Sequence, residues 1–160
     1  MNRRSYIAIG ITLFIMLSLC PPASAQNDKV HWLTFEQLED SLAVKPKQVF
    51  IDFYTDWCAY CRKMDRLVFT NSEIAALLNS DYYAVRFNAE SDSAINFGSR
   101  QFVNDQIGRS RSPIHQIAQL LALRDGHFVA PTLVVLDETF RVTARYFEYM
   151  SSRRLLAALQ

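Results

Sequence analysis

Glycine and proline are scarce, at four and five residues in 160, which excludes collagen-like and low-complexity chains. An excess of charge of one sign is also lacking: 17 Lys and Arg face 16 Asp and Glu, for a net charge of +1. Arg3 and Arg4 are the only charged residues among the first 25, so without them the balance is −1. There is no basic stripe, and nothing suits a polyanion, so nucleic acid is not expected as a partner. No apolar run reaches the ~20 residues of a membrane-spanning helix; the longest, residues 6–19, has 14. No nicotinamide or flavin motif, internal repeat or interdomain linker occurs. A chain of 160 residues, half of them apolar, suits one domain with a real core.

The N-terminal stretch has the anatomy of a secretory signal. Arg3 and Arg4 precede the apolar run, Pro21 and Pro22 break it, and Ala23-Ser24-Ala25 offers small residues for cleavage. The expected division is a signal peptide over 1–25 and one folded domain over 26–160, with export to the periplasm. The alternatives are a retained anchor and lipid tethering at Cys20, although Leu19 stands where lipoprotein signals prefer a small residue. Of three cysteines, Cys20 leaves with the signal, and the mature chain keeps Cys58 and Cys61 in a C-x-x-C spacing. One pair closing so short a loop removes little entropy from the unfolded chain. Its value is chemical rather than structural.

Beyond a polar leader over 26–33, Thr34-Phe35-Glu36-Gln37 reads as a capping box. Phe35, Leu38 and Leu42 then recur at helical spacing until Lys45-Pro46-Lys47. Residues 49–54 form an apolar run broken by one acid, the pattern of a central strand covered on both faces. A helix is expected over 58–69, a second capped by Asn71 or Ser72, and a strand over 82–87. Residues 91–112 contain a small hairpin within 95–103. Ser112-Pro113 reads as the start of a helix closed by Asp125-Gly126. Strands over 132–136 and 141–147 and a last helix capped by Ser151 or Ser152 complete the pattern. Alternating strands and helices describe an α/β sheet covered on both sides.

Trp57-Cys58-Ala59-Tyr60-Cys61 sits where a strand hands over to a helix. Free N–H groups and the helix dipole favour a negative charge at that point, and the thiolate is the species that attacks a disulfide. Cys58 is therefore assigned as nucleophile. Cys61, one turn on, is assigned as the resolving thiol that closes an internal disulfide. Half a zinc site or an inert disulfide are the alternatives. No second C-x-x-C exists, and His31, His115 and His127 lack ligand spacing. The histidines are expected to cap or decorate helix ends.

The segment from Val49 to Cys61 resembles the active-site segment of the thioredoxin superfamily. In particular it resembles the C-terminal thioredoxin domain of the periplasmic reductase DsbD and its stand-alone relatives. Arg62-Lys63-Met64 and Val68-Phe69-Thr70-Asn71-Ser72-Glu73-Ile74 extend the match, and Val129-Ala130-Pro131-Thr132 resembles the cis-proline loop. The resemblance implies a thioredoxin-like α/β fold, with a central mixed sheet flanked by helices and residues 95–103 as an inserted hairpin. It implies that Asp52 is a buried acid exchanging a proton with Cys61, as a carboxyl raised by burial can. Ala130 and Pro131 would present backbone to an extended substrate, with Trp57 and Tyr60 as the docking rim. Arg86 stands where many relatives place a lysine, and holds its charge more firmly.

The expected activity is that of an exported thiol–disulfide oxidoreductase acting as a reductase of protein disulfides. It would be recharged by a membrane electron donor of the DsbD/CcdA type and need no cofactor or metal beyond the Cys58–Cys61 pair. Disulfide oxidase or isomerase is the enzymatic alternative. A thioredoxin-fold chaperone or a Cu(I)-binding module is the non-enzymatic one.

Overall fold

Val49, Phe50, Ile51, Asp52 and Phe53 are all buried, so the strand that carries them is covered on both faces. The computed structural model describes residues 29–160; the expected signal peptide over 1–25, its cleavage point and Cys20 lie outside the described residues. The chain runs through β1 (Trp32–Leu33), α1 (Phe35–Val44), β2 (Gln48–Tyr54), α2 (Ala59–Leu67), α3 (Ser72–Asp81) and β3 (Tyr82–Asn88). It continues through β4 (Ile95–Phe97), β5 (Arg100–Phe102), α4 (Gln116–Leu121), β6 (Leu123–Arg124), β7 (His127–Phe128), β8 (Thr132–Leu136), β9 (Val142–Tyr146) and α5 (Ser152–Leu159). The main sheet has the order β1-β3-β2-β8-β9. The first three strands are parallel, and β8 and β9 are antiparallel to their neighbours. This is the mixed, helix-flanked sheet that the sequence predicts.

Strand alternation divides the core in two. Val49, Ile51 and Phe53 pack with Phe35 and Leu38 of α1 and Ile117 and Ala118 of α4. Phe50, with Leu133 and Val135 of β8, packs under Met64 of α2, Ile74 and Leu78 of α3, and Leu155 of α5. Asp52 shares the Phe50 side, and so faces the layer that contains α2.

Local chemistry sets most of the boundaries. Gln37 N donates to Thr34 Oγ1 (3.2 Å) and Thr34 N to Gln37 Oε1 (2.9 Å), a reciprocal capping box. Asn71 Oδ1 accepts from Glu73 N and Ile74 N at 3.0 and 3.1 Å, starting α3. The β4–β5 hairpin turns on Gly98 and Ser99, both near φ +60°, which suits the right-handed twist of a two-residue turn. Gly98 N donates to Glu39 Oε1 (3.1 Å), and Phe97 packs edge-on against Phe35, so α1 carries the hairpin.

Four expectations need correction. Trp32–Leu33, read as polar leader, is an edge strand parallel to β3, its Trp32 ring packed on Phe69 at 5.0 Å. Ser112-Pro113 does not start a helix, because Asn104 Nδ2 holds the Pro113 carbonyl in the preceding loop. His115 is the cap instead, and α4 ends at Leu121. Asp125-Gly126 is the positive-φ turn of the β6–β7 hairpin, which puts His127 on a strand. Ser151 stands at the N-cap of α5 without a side-chain cap bond, while Ser152 Oγ donates to the Leu67 carbonyl.

His115 is fully buried. Its Nδ1 accepts from Ile117 N (3.2 Å), so the neutral ring carries its proton on Nε2, which donates to the Ser93 carbonyl (3.2 Å). Burial holds its pKa below the usual 6.5. The stability it contributes is present above 6.5 and lost as pH falls through the lower folded-state value. Exchange for Asn keeps a capping acceptor and removes the titration. His115→Asn is therefore expected to lose less stability than the parent between about pH 7.5 and about pH 5 in urea unfolding. Equal losses would refute this role of the ring.

Candidate functional site

Where β2 ends, Thr55-Asp56-Trp57 turns the chain and Cys58 N donates to the Thr55 carbonyl at 3.1 Å. Cys58 is the N-cap of α2, and its Sγ accepts from Cys61 N at 3.0 Å, the place a serine or aspartate oxygen takes in an ordinary cap. Cys58 and Cys61 form a disulfide with Cα atoms 5.3 Å apart. They are 4% and 2% exposed. On reduction, a Cys58 thiolate at this position would meet the positive end of α2.

Asp52, at 1% exposure, lies between Arg86 on β3 and Leu133 on β8 in the strand register. Arg86 Nε is 3.3 Å from Asp52 Oδ2, but the alignment is not that of a hydrogen bond, and Asp52 Oδ1 has no hydrogen-bond partner among the described residues. The same guanidinium sets Nη2 2.7 Å from Asp65 on α2. Its plane rests 4.5 Å from the Tyr54 ring centroid. Burial pushes the Asp52 carboxyl up to about 7; the Arg86 charge opposes the rise and the Asp65 charge adds to it. A group with that pKa can give or take a proton near neutrality.

The Ala130–Pro131 peptide bond is cis. Pro131 is buried and immediately precedes β8, whose Thr132 pairs with Phe53. The proline thus lies at the end of the central strands from which the turn to Cys58 departs. Trp57 and Tyr60 are 64% and 60% exposed beside the disulfide. Trp57 Nε1 donates to both carboxylate oxygens of Glu90 at 3.0 and 3.1 Å. Tyr60 lies against Tyr149, over which Lys63 places its ammonium at 4.6 Å. Among the described residues no group of three or more His, Cys, Asp and Glu could hold a metal ion. None of their helices is long and apolar enough to cross a membrane.

Sequence reasoning did not single out Asp65 or Glu90. Asp65 was within reach: Cys58, Cys61 and Asp65 fall on one helical stripe at i, i+3 and i+7.

A family model described as thioredoxin-like matches residues 31–137. The chain belongs to the thioredoxin-like family. The thiol:disulfide interchange protein DsbD of Ralstonia nicotianae is 38% identical over 48 residues, covering 30% of this chain and 8% of that protein. A DsbH oxidoreductase structure superposes with a TM-score of 0.58 at 16% identity, over 88% of this chain and 89% of the other. A thioredoxin-fold protein from Helicobacter pylori gives 0.56 at 19% identity, over 85% and 77%. The C-terminal domain of Neisseria meningitidis DsbD gives 0.50 at 14%, over 76% and 87%. The three solved structures share the thioredoxin fold with this chain.

In this thioredoxin-like protein the buried carboxyl acts against the fold. Because its folded-state pKa is raised, Asp52 favours folding below the ordinary 3.8, and the benefit erodes as pH rises through about 7. Asp52→Asn is expected to stabilise the disulfide form by roughly 2–4 kcal/mol at pH 8. The gain should fade toward pH 4 in urea unfolding. A gain that does not vary with pH would place the titration on another group.

Proposed function

We propose that this protein is an exported, periplasmic thiol–disulfide oxidoreductase that reduces protein disulfides. The observation that carries the reading is a C-x-x-C disulfide at a helix N-cap, on the sheet layer that also buries an acid titrating near 7. In the reduced protein, the Cys58 thiolate attacks one sulfur of a substrate disulfide. A mixed disulfide forms and one substrate thiolate leaves. Cys61 then gives its proton to Asp52 and attacks Cys58 Sγ. The second substrate sulfur departs and takes up that proton from Asp52, leaving as thiol, and the Cys58–Cys61 disulfide is restored. Two electrons pass from the cysteine pair to the substrate, and a membrane electron donor of the DsbD/CcdA type returns them.

Ala130 and Pro131 offer backbone to an extended substrate strand, and Trp57 and Tyr60 form the apolar rim around the attacked sulfur. The partial likeness to DsbD and the signal-like N-terminus favour the reductive direction and the periplasm. Direction is set by potential, with ~30 mV worth ~1.4 kcal/mol for a two-electron couple.

Equilibration with dithiol buffers and a count of free thiols tests the reading. A potential near thioredoxin's ~−270 mV supports a reductase, whereas one near ~−120 mV makes the protein a disulfide donor. Cys58→Ser is expected to abolish turnover and Cys61→Ser to accumulate a mixed disulfide on gels. Free product from Cys61→Ser at the parental rate would overturn the resolving role. Asp52→Asn should slow the resolving step on the order of 10²-fold at pH 7 and flatten its pH profile.

A further inference from the structure

The segment 89–115 leaves the sheet after β3 and returns at α4, and it does more than elaborate the surface. Together with the β6–β7 hairpin it encloses a groove of about 450 Å3 that begins at Trp57. One wall is Glu90, Gln106 and Ile114; the other is His127 and Phe128, four and three residues ahead of Pro131. The groove therefore reaches the disulfide face at Trp57, the residue that precedes Cys58.

Its walls are held by their own hydrogen bonds. Gln106 Oε1 accepts from Ile114 N (3.0 Å), and Gln119 Nε2 donates to the Ile114 carbonyl (2.6 Å). Glu90 N donates to Asn88 Oδ1 (2.9 Å), which fixes the acid at the mouth. Glu90 itself is only partly satisfied. A carboxylate offers about four acceptor sites, and the single indole N–H of Trp57 serves both of its oxygens. No ion pair among the described residues involves Glu90. The lining contains no lysine or arginine, and His127 is its only other titratable side chain. Asp56, next to Trp57, is held by Asn88 Nδ2 at 3.2 Å and lies outside the lining, as does Arg62, whose Nη1 donates to the Asp56 carbonyl. Arg109 and Arg111 belong to the same segment but are exposed and outside the lining.

We infer that this groove is a specificity subsite for the substrate polypeptide, taking a lysine or arginine close in sequence to the attacked cysteine. The basic head meets the Glu90 carboxylate while its stem, or a guanidinium plane, lies on the exposed Trp57 ring. The inference rests on the thiol–disulfide exchange proposed above and names the class of substrate that exchange prefers. The inserted segment then supplies selectivity, and Cys58 and Cys61 supply chemistry.

The test uses blocked heptapeptides with one central cysteine held as a mixed disulfide with a chromophoric aryl thiol. Arg or Glu is placed in turn at each of the two positions on either side of the cysteine. The reduced protein is expected to release aryl thiol from an Arg peptide about fivefold faster than from its Glu counterpart in at least one position, as for one solvent-facing ion pair. The ratio should collapse toward one in high salt. It should also collapse in Glu90→Gln, which keeps an acceptor for the indole, and in Ser112→Arg, which places a cation in the groove wall. Taking the Arg-to-Glu ratio within each variant removes any change in the thiols themselves.

Equal rates for the two peptides, or a ratio that survives in Glu90→Gln, would overturn the subsite. The mixed disulfide of hydroxyethanethiol with the same aryl thiol separates the two proposals. If reduced parent protein does not cleave it, the exchange reaction itself is refuted. The subsite is then read by NMR, from the Trp57 indole N–H on titration with the same peptides carrying serine for cysteine. A shift with Arg peptides and none with Glu peptides supports the groove. No shift, or equal shifts, overturns it.

Discussion

A carboxyl group in the middle of a strand covered on both faces is costly to ionise, and the site is arranged around that cost. Asp52 stands with Phe50 on the side of β2 that faces the α2 layer, and among the described residues one cation, Arg86, reaches it. Arg86 does not belong to Asp52 alone, since its directed hydrogen bond runs to Asp65 on the helix above. The guanidinium ties α2 to β3 and lends the buried acid only a poorly aligned contact. Asp52 is thus left between neutral and charged near physiological pH, where a proton acceptor for a thiol is most effective. A lysine would bring one compact, rotatable charge to this place. The planar fork of an arginine lets two carboxylates share one cation at fixed angles.

The start of α2 involves a second compromise. Sulfur is a weaker hydrogen-bond acceptor than the oxygen of serine or aspartate, so Cys58 is a modest cap while it remains in the disulfide. The turn is held instead by the bond from Cys58 N to Thr55 and by Arg62 Nη1 donating to the Asp56 carbonyl at 2.7 Å. The N–H of Cys61 already points at Cys58 Sγ. Opening the disulfide converts that contact into a charge-assisted bond to a thiolate. The donor that caps the helix in the disulfide form faces a thiolate in the reduced one.

How much of this could be read beforehand depended on whether the cause was local. The capping box at Thr34, the Asn71 cap, the apolar run of β2 and the strand-to-helix cysteine pair are all written within a few adjacent residues. Each was legible, as was the α/β architecture that follows from their order. Trp32–Leu33 was not, because two residues carry no period. Their strand exists through pairing with β3, the Trp32–Phe69 contact and the bond from His31 N to Asn79 Oδ1 (2.8 Å). The helix assigned to Ser112-Pro113 failed for a similar reason: Asn104 and a buried histidine set its start from outside the local pattern. Asp65 and Glu90 looked like ordinary solvated charges. Their importance comes from partners 21 and 33 residues away, Arg86 and Trp57; helical spacing puts Asp65 on the stripe of the two cysteines but shows neither partner.

The same distinction bears on how the site can vary. Cys58, Cys61, Asp52 and Arg86 are placed by the central sheet and the helix above it, so moving any of them disturbs the core. The 89–115 segment forms no strand of the main sheet. It is fastened by discrete bonds, His115 N to the Ala89 carbonyl, Asn104 Nδ2 to the Ser91 and Pro113 carbonyls, and Gly98 N to Glu39, and by Ile95, Phe97, Phe102 and Ile114 packed on the α1 side of the core. With its ends pinned beside β3 and α4, its middle can change in length and charge at little cost to the sheet, since loop closure depends only weakly on length. A wall built this way beside Trp57 leaves the thiol chemistry untouched while altering what approaches it. On the proposed function, reactivity is bound to the central sheet, and choice of substrate rests on a segment that contributes no strand to it.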